Sequence, residues 1–283
     1  MLAVVGTIPD QDFPLVTGTV TLRGDRIHIQ GNEVTVNRGT PALLAAAIKT
    51  AEALGQPEPF GYLIGDIGLG DGSRLLYEYI TKHISEYDFH TIVFHYVQPD
   101  VNWHNRVLFA VGEMTRQPVL IADAGFMYAA KMSGQASAYD LFTPDVGELA
   151  FLADEDAPHP FYTRGFILHE ENRVPDLISR AYKHENTSRF LLVKGREDYL
   201  ADYGKIRTTI NNPAEEAMEA IGGTGDILTG IAAALISAGR EVDKGAVTAA
   251  RANRLAGQYT RPSPATQVIE IINHIPMALA NLL

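Results

Sequence analysis

The sequence predicts an α/β protein with a three-layer α/β/α arrangement, in which helices cover both faces of a mostly parallel sheet. Short, continuous apolar runs alternate with helical stretches along most of the 283 residues, a pattern typical of strands that are buried on both faces. The hydrophobic fraction of 46% is enough for a large core in a chain of this length. We expect residues 1–283 to form one domain, because α/β folds of about 250 residues often form a single unit.

The first 40 residues carry the signs of short strands. Thr19–Leu22 and Arg26–Ile29 flank Gly24-Asp25, a dipeptide that favours a tight turn, and they predict a hairpin. Glu33–Val36 is predicted as a third strand, and the alanine- and leucine-rich run after Pro41 as a helix.

Apolar strands and helical stretches alternate in the rest of the chain. The predicted strands are Phe60–Asp66, His90–Tyr96, Pro118–Asp123 and Phe190–Gly195. The predicted helices are Gly72–Tyr87, Trp103–Arg116, Phe126–Met132, Asp145–Ala153, Val174–His184, Asp226–Ala238, Val242–Gln258 and Thr266–Leu282. The loop Asp154–Arg164 is long, and two interpretations stay open for it: a lid or a plain surface loop.

Composition excludes several classes of protein. The chain has no cysteine, which excludes a disulfide-stapled module and any site built on thiolates. Its formal net charge of −11 argues against a nucleic-acid partner, which would require a basic surface. Apolar stretches such as Ile231–Ala238 are shorter than the ~20 residues of a membrane span, and no basic region opens the chain. We therefore expect a cytoplasmic protein without nucleic-acid or membrane partners.

The strongest local motif is the glycine-rich run Ile221–Asp226, which leads directly into an apolar helix. A glycine-rich turn at a helix start exposes backbone N–H groups, and the helix dipole adds about half a positive charge there. Glycines let a phosphate approach the backbone without interference from a Cβ. Asp226 in the first turn could accept the proton of an attacking hydroxyl during phosphoryl transfer. On spacing alone, a simple capping role for Asp226 is an equal alternative.

The same run resembles the signature of the ribokinase-like superfamily, and most closely that of its ADP/ATP-dependent NAD(P)H-hydrate dehydratase branch. Segments that resemble this branch occur in the same order at Leu63–Gly70, Pro118–Phe126, Thr143–Glu148 and Phe190–Asp202. The likeness extends from about Gly39 to Gly257, and it implies a ribokinase-like sandwich that binds ATP or ADP with Mg²⁺.

The resemblance also implies roles for individual residues. Asp226 would be the catalytic base that deprotonates a substrate hydroxyl. The anion hole for the transferred phosphate would consist of the residues Gly222, Gly223, Thr224 and Gly225. Glu148 would help to hold Mg²⁺ through water, unless it only complements the dipole of its own helix.

Several further candidates are less specific. Lys194 could contact the nucleotide phosphates or simply extend from a strand end, and Gly195 and Asn253 would lie on the nucleotide side. Asp123 could contact Mg²⁺ or the acceptor. The acceptor pocket or a plain polar loop could contain Gln98, Asp100, Asn102, His104 and Asn105. The nine histidines show no metal-binding spacing, and we interpret His90 and His95 as structural.

Departures from the family pattern fall on the substrate side. Asp145 stands where the family has a histidine, and Asn212–Ala217 replaces its usual loop before the anion hole. A strand-helix segment of the N-terminal third is also missing. Three functions therefore stay open: a hydrate dehydratase, a sugar or vitamin-precursor kinase, and a non-catalytic nucleotide-binding protein. Self-association into a homo-oligomer is expected from the resemblance alone.

Overall fold

The structure is a computed structural model that describes residues 1–160 and 173–283. Part of the predicted loop Asp154–Arg164, residues 161–164, lies outside the described residues. The strands are β1 Leu2–Ile8, β2 Val16–Thr19, β3 Thr21–Arg23, β4 Arg26–Ile29, β5 Asn32–Thr35, β6 Phe60–Gly65, β7 Thr91–His95, β8 Val119–Asp123, β9 Leu141–Phe142, β10 Phe190–Val193, β11 Asp198–Asp202 and β12 Lys205–Ile210. The helices are α1 Thr40–Leu54, α2 Asp71–His83, α3 Val101–Gly112, α4 Gly125–Met132, α5 Val146–Ala153, α6 Val174–Lys183, α7 Thr224–Ser237, α8 Val242–Thr260, α9 Val268–Ile272 and α10 Ile275–Ala280.

Within these residues, nine strands form the main sheet in the order β12-β11-β10-β9-β8-β7-β1-β6-β2. The strands from β10 to β6 are parallel, while β2, β11 and β12 pair antiparallel at the two ends. The hairpin β3-β4 forms at Gly24-Asp25 and continues into β5 as a separate three-stranded sheet. The predicted mostly parallel sheet between helices is confirmed.

Successive side chains of the strands point to opposite faces of the sheet and pack into two separate apolar cores. Val4 of β1 lies in the core that contains α1, α7 and α8, and Val5 lies in the core beneath α2, α3 and α4. Gly230 of α7 lets α1 approach closely, because a Cβ at this position would clash with the carbonyl oxygen of Leu43. Helices α1 and α7 thus pack against each other in the core on this face of the sheet.

Several parts of the fold differ from the expectation, among them the two-residue strand β9, which was not predicted. Leu2–Ile8 is a seven-residue strand between β6 and β7, although only short strands were expected before residue 40. This strand was missed because no helix precedes it, so it does not stand out as part of the alternation of strands and helices. The predicted helix Thr266–Leu282 is two short helices, and Pro276 lies in the first turn of the second, where its missing N–H is tolerated. Among the described residues, no helix combines the length and apolar character that a membrane span requires.

Candidate active site

The candidate site lies at the carboxyl ends of the central parallel strands, where ligands of open α/β sheets gather. His95 is the last residue of β7, and Asp123 is the last residue of β8. Asp145 and Lys194 follow β9 and β10 and pair with each other across a parallel bridge. The first turn of α7 points its N–H groups at the same edge. The fold therefore brings Asp123, Lys194 and Asp226 together, although up to 103 positions separate them in sequence.

The predicted anion hole has the backbone geometry that phosphate binding requires. Gly223 has a φ of 98°, a left-handed conformation that favours glycine, and α7 begins at the next residue. No side chain caps this helix start, and the first N–H groups of a helix have no intrahelical acceptor. A Cβ on Gly225 would lie 3.5 Å from Nζ of Lys194, so an ammonium stands beside the open helix start.

Asp226 is held at both carboxylate oxygens. Its Oδ2 accepts a hydrogen bond of 2.6 Å from the backbone N–H of Gly39, and its Oδ1 lies 3.1 Å from Nε2 of His95. The residue is 8% exposed, so it can still be reached from the solvent side. Asp226 thus has a fixed orientation next to the glycines, which is what a proton acceptor for an incoming hydroxyl needs.

His95 belongs to this site, in contrast to its interpretation as structural from the sequence. Its ring is fully buried, with Nδ1 3.0 Å from the hydroxyl of Thr40 and Nε2 facing Asp226. Its position at the end of a buried parallel strand is the sequence feature that could have identified it. His90 lies before the same strand, at the opposite edge of the sheet, where Nδ1 contacts Thr91.

Lys194 and Asp123 form a buried ion pair under the helix start. The ammonium lies 2.9 and 2.8 Å from the two oxygens of Asp123, and the hydroxyl of Thr229 in α7 donates to Oδ2 at 2.6 Å. Burial alone would raise the pKa of Asp123, but the charge of Lys194 and the hydrogen bonds from Lys194 and Thr229 hold it below its usual value. Burial alone would lower the pKa of Lys194, but Asp123 and Glu148 raise it. Both groups are therefore charged at neutral pH.

Glu148 lies in the first turn of α5, in a capping box with Asp145. The N–H of Asp145 donates to Glu148, and the N–H of Glu148 donates to Asp145. Burial and the nearby Asp123 and Asp145 raise the pKa of Glu148 to about 8, despite the opposing charge of Lys194. This surplus of carboxylate oxygens fits a hard cation such as Mg²⁺, which prefers oxygen ligands.

The predicted nucleotide-side residues flank the start of α7. The amide of Asn253 in α8 donates to the carbonyl of Thr224 at 3.2 Å, and its buried Oδ1 has no hydrogen-bond partner among the described residues. Gly195 follows Lys194, but its N–H donates to Asp198 and its carbonyl accepts from Arg254. The polar backbone atoms of Gly195 are thus satisfied inside the protein.

The residues of the predicted acceptor-side loop have different roles in the structure. Asp100 caps α3 by accepting from the N–H of Trp103, and His104 is buried between Tyr139 and Ser133. Asn102 is exposed in the first turn of α3. Among the described residues, no hydrogen bond or ion pair joins Asn102 to the Asp226 region, so its predicted role stays a prediction.

The fold and site define a class: a ribokinase-like α/β protein with an acid in the first turn of a glycine-opened helix. The chain belongs to the NAD(P)H-hydrate dehydratase family, whose sequence model matches residues 99–276. The matched residues include the segments from Pro118–Phe126 onward, but not Leu63–Gly70. In that segment the carboxylate of Asp66 accepts from the N–H groups of Gly68 and Gly70.

The chain is also similar to individual proteins and to solved structures. An uncharacterized protein of Methanocaldococcus jannaschii is 41% identical over 85% of this chain and 100% of its own length. A bifunctional NAD(P)H-hydrate repair enzyme of Pyrobaculum aerophilum is 26% identical over 85% of this chain, but the match covers only 46% of that enzyme. The ADP/ATP-dependent NAD(P)H-hydrate dehydratase of Bacillus subtilis, crystallised with ATP and Mg²⁺, has a TM-score of 0.57 at 14% identity, covering 100% of this chain and 90% of its own. The predicted ribokinase-like fold is confirmed.

Proposed function

We propose that the chain transfers the terminal phosphoryl group of ATP or ADP to the hydroxyl of a hydrated nicotinamide cofactor, as an NAD(P)H-hydrate dehydratase that repairs this cofactor. The observation that carries the proposal is the placement of the Asp226 carboxylate in the first turn of a glycine-opened helix, beside the ammonium of Lys194. Family membership supports it independently, because the matched residues include Asp226, Lys194 and Glu148.

The chemistry follows from these groups. Asp226 takes the proton of the substrate hydroxyl, and the oxygen attacks the terminal phosphorus while the bond to the bridging oxygen of the nucleotide breaks. Backbone N–H groups of Gly222–Gly225 and the charge of Lys194 stabilise the negative charge of the transferring group. The phosphate ester then leaves as inorganic phosphate, the neighbouring ring carbon loses a proton, and the ring double bond is restored.

Glu148 and Asp145 are the residues that would hold Mg²⁺. When bound, the ion neutralises charge on the nucleotide phosphates. The chain's own contribution is to keep two carboxylates close together at the start of α5, where the capping box fixes their orientation.

A kinase for a sugar or a vitamin precursor is the second candidate. It is favoured by one observation: Gly39, which holds Asp226, and His95 both lie outside the residues that the family model matches. The match over residues 99–276 therefore does not include these two contacts of Asp226. Product analysis separates the candidates, because a dehydratase releases inorganic phosphate and repaired cofactor, whereas a kinase releases a phosphate ester.

Asp226→Asn tests the proposed role of the base. We expect nucleotide affinity to stay unchanged and turnover to fall by about 10²–10⁴-fold, the usual contribution of a positioned base. Asp243→Asn is the matched control, because Asp243 is also a first-turn acid, but of α8; it should keep full activity. Full activity of Asp226→Asn would contradict the proposal, and nucleotide binding by the wild-type chain without any turnover would favour a binding protein.

We also propose a cytoplasmic location and a homo-oligomeric state. The location is supported by the soluble nucleotide and cofactor substrates and by the absence of cysteine. Cell fractionation and sedimentation analysis test the two statements separately.

A further inference from the structure

We propose that His95 is a positioning residue, which, oriented by Thr40, holds the carboxylate of Asp226 in the geometry that proton transfer requires. This inference rests on the proposed function, because it assumes that Asp226 is the catalytic base. It concerns residues before position 99, where the family model does not reach.

The first argument is the hydrogen-bond geometry of the imidazole. Nε2 of His95 lies 3.1 Å from Oδ1 of Asp226, and Nδ1 lies 3.0 Å from Oγ1 of Thr40. Among the described residues, the hydroxyl of Thr40 has no other hydrogen-bond partner. If Thr40 donates to Nδ1, the ring proton lies on Nε2 and points at the carboxylate. The carboxylate of Asp226, which only accepts, thus favours the tautomer with the proton on Nε2, and the hydroxyl of Thr40 satisfies the unprotonated Nδ1.

The second argument is that this arrangement is rigid. His95 is completely buried and Thr40 is 1% exposed. A Cβ at Gly6 in β1 would lie 2.7 Å from the hydroxyl of Thr40 and 2.9 Å from the carbonyl oxygen of His95. The absence of a side chain at Gly6 is therefore what lets α1 and β7 meet at this point. The ring of Tyr96 packs edge-on against the imidazole at 4.6 Å. His95 is thus enclosed by Thr40, Tyr96 and the strand β1.

The third argument is that each carboxylate oxygen of Asp226 has a different hydrogen-bond partner. The N–H of Gly39 occupies Oδ2, and His95 occupies Oδ1, from the interior of the protein. Two donors on two different oxygens fix both the position and the plane of the carboxylate. The remaining lone pairs are then directed away from α1 and β7. A displacement of about 1 Å in a reacting group can lower turnover by about 10²-fold, so this fixation has a direct effect on rate.

A spectroscopic test needs no substrate. In the chain labelled with ¹⁵N-histidine, the ring nitrogens of His95 report which of them carries a proton, and contacts with the ring of Tyr96 identify the signal. We expect a proton on Nε2 in the wild-type chain. In Asp226→Asn, the amide oxygen should turn to the N–H of Gly39 and the amide nitrogen to Nε2, so the proton should move to Nδ1. An unprotonated Nε2 in the wild-type chain would overturn the proposal.

Kinetics test the effect on the reaction. His95→Leu removes the donor, and we expect kcat to fall by about 10²-fold while the nucleotide Kd stays within about twofold. His95→Gln can place an amide N–H near the position of Nε2, and it should recover at least about tenfold of that loss. Thr40→Val leaves His95 in place and should give a smaller fall in kcat, which keeps the test decisive if the His95 variants do not fold.

The outcomes separate this inference from the proposed function. If the wild-type chain transfers no phosphoryl group, the proposed function fails and the positioning role fails with it. If the wild-type chain is active but His95→Leu and His95→Gln lose equal kcat, or Thr40→Val leaves kcat unchanged, the positioning role alone is refuted.

Discussion

Replacing Gly225 by alanine separates the stability of the helix start from phosphate binding. An added Cβ would lie 3.5 Å from Cδ, Cε and Nζ of Lys194, which is ordinary van der Waals contact. Gly225 is in a helical conformation, within α7, so alanine introduces no backbone strain. Alanine in place of a helical glycine stabilises a fold by up to about 1 kcal/mol. We therefore expect a free energy of unfolding equal to or above that of the wild-type chain.

Activity should change in the opposite direction. The new methyl group would fill the space between the N–H groups at the helix start and the ammonium of Lys194, where the phosphate is proposed to lie. Loss of one anion-hole interaction typically lowers kcat by about 10²–10³-fold, or about 3–4 kcal/mol of transition-state stabilisation. A coupled assay of phosphoryl transfer measures the fall in rate, and urea unfolding followed by circular dichroism measures stability in the same preparation.

Gly112→Ala is the control for this substitution. Gly112 is the last residue of α3, and an added Cβ there would have no atom within 4 Å. We expect wild-type activity from this variant. Wild-type activity in a folded Gly225→Ala protein would show that the transferred phosphate does not lie between α7 and Lys194, and the proposed anion hole would be refuted.

Two further predictions concern titratable groups. Glu148→Gln should raise the Mg²⁺ concentration for half-maximal activity by about 10-fold or more, as measured by Mg²⁺ titration of the rate, and an unchanged requirement would contradict its metal role. His104 has a pKa lowered by burial from 6.5 to about 4, so its contribution to stability is present above about pH 6.5 and is lost as pH falls towards 4. Urea unfolding should show a loss of about 2 kcal/mol between about pH 7 and pH 5 that is absent in His104→Gln, and equal losses in both proteins would contradict this assignment.

Local patterns were sufficient to predict the part of the site that is local in sequence. The anion hole and Asp226 lie within six consecutive residues, and the glycine-rich turn and the helix that follows are formed by those same residues. The parallel strands could be predicted because each is a short apolar run between helical stretches. The exceptions are Leu2–Ile8, which has no helix before it and therefore gives no alternation, and Leu141–Phe142, whose two residues are too few to form a recognisable apolar run.

The contacts that complete the site are not local, and single-sequence patterns do not contain them. Gly39 and His95 reach Asp226 across 187 and 131 positions of the chain. Lys194 and Asp123 were each predicted as site residues, but with different partners, the nucleotide and the acceptor side; the structure pairs them with each other. Their pairing depends on the order of β8, β9 and β10 in the sheet, which an apolar run does not encode.

The charge balance of the site limits how a nucleotide can bind. The protein carries a net charge of −11, and the positive charge of Lys194 is already offset by the bidentate contact with Asp123. Asp226 adds a further carboxylate at the helix start. Most of the attraction for an anionic phosphate must therefore come from the N–H groups and dipole of α7 and from a cation near Glu148, and the partly offset charge of Lys194 adds a smaller share. The negative net charge of the protein disfavours the approach of an anionic nucleotide. The attractive contributions act only over short distances at physiological ionic strength. Binding therefore depends on the local geometry that the glycines create.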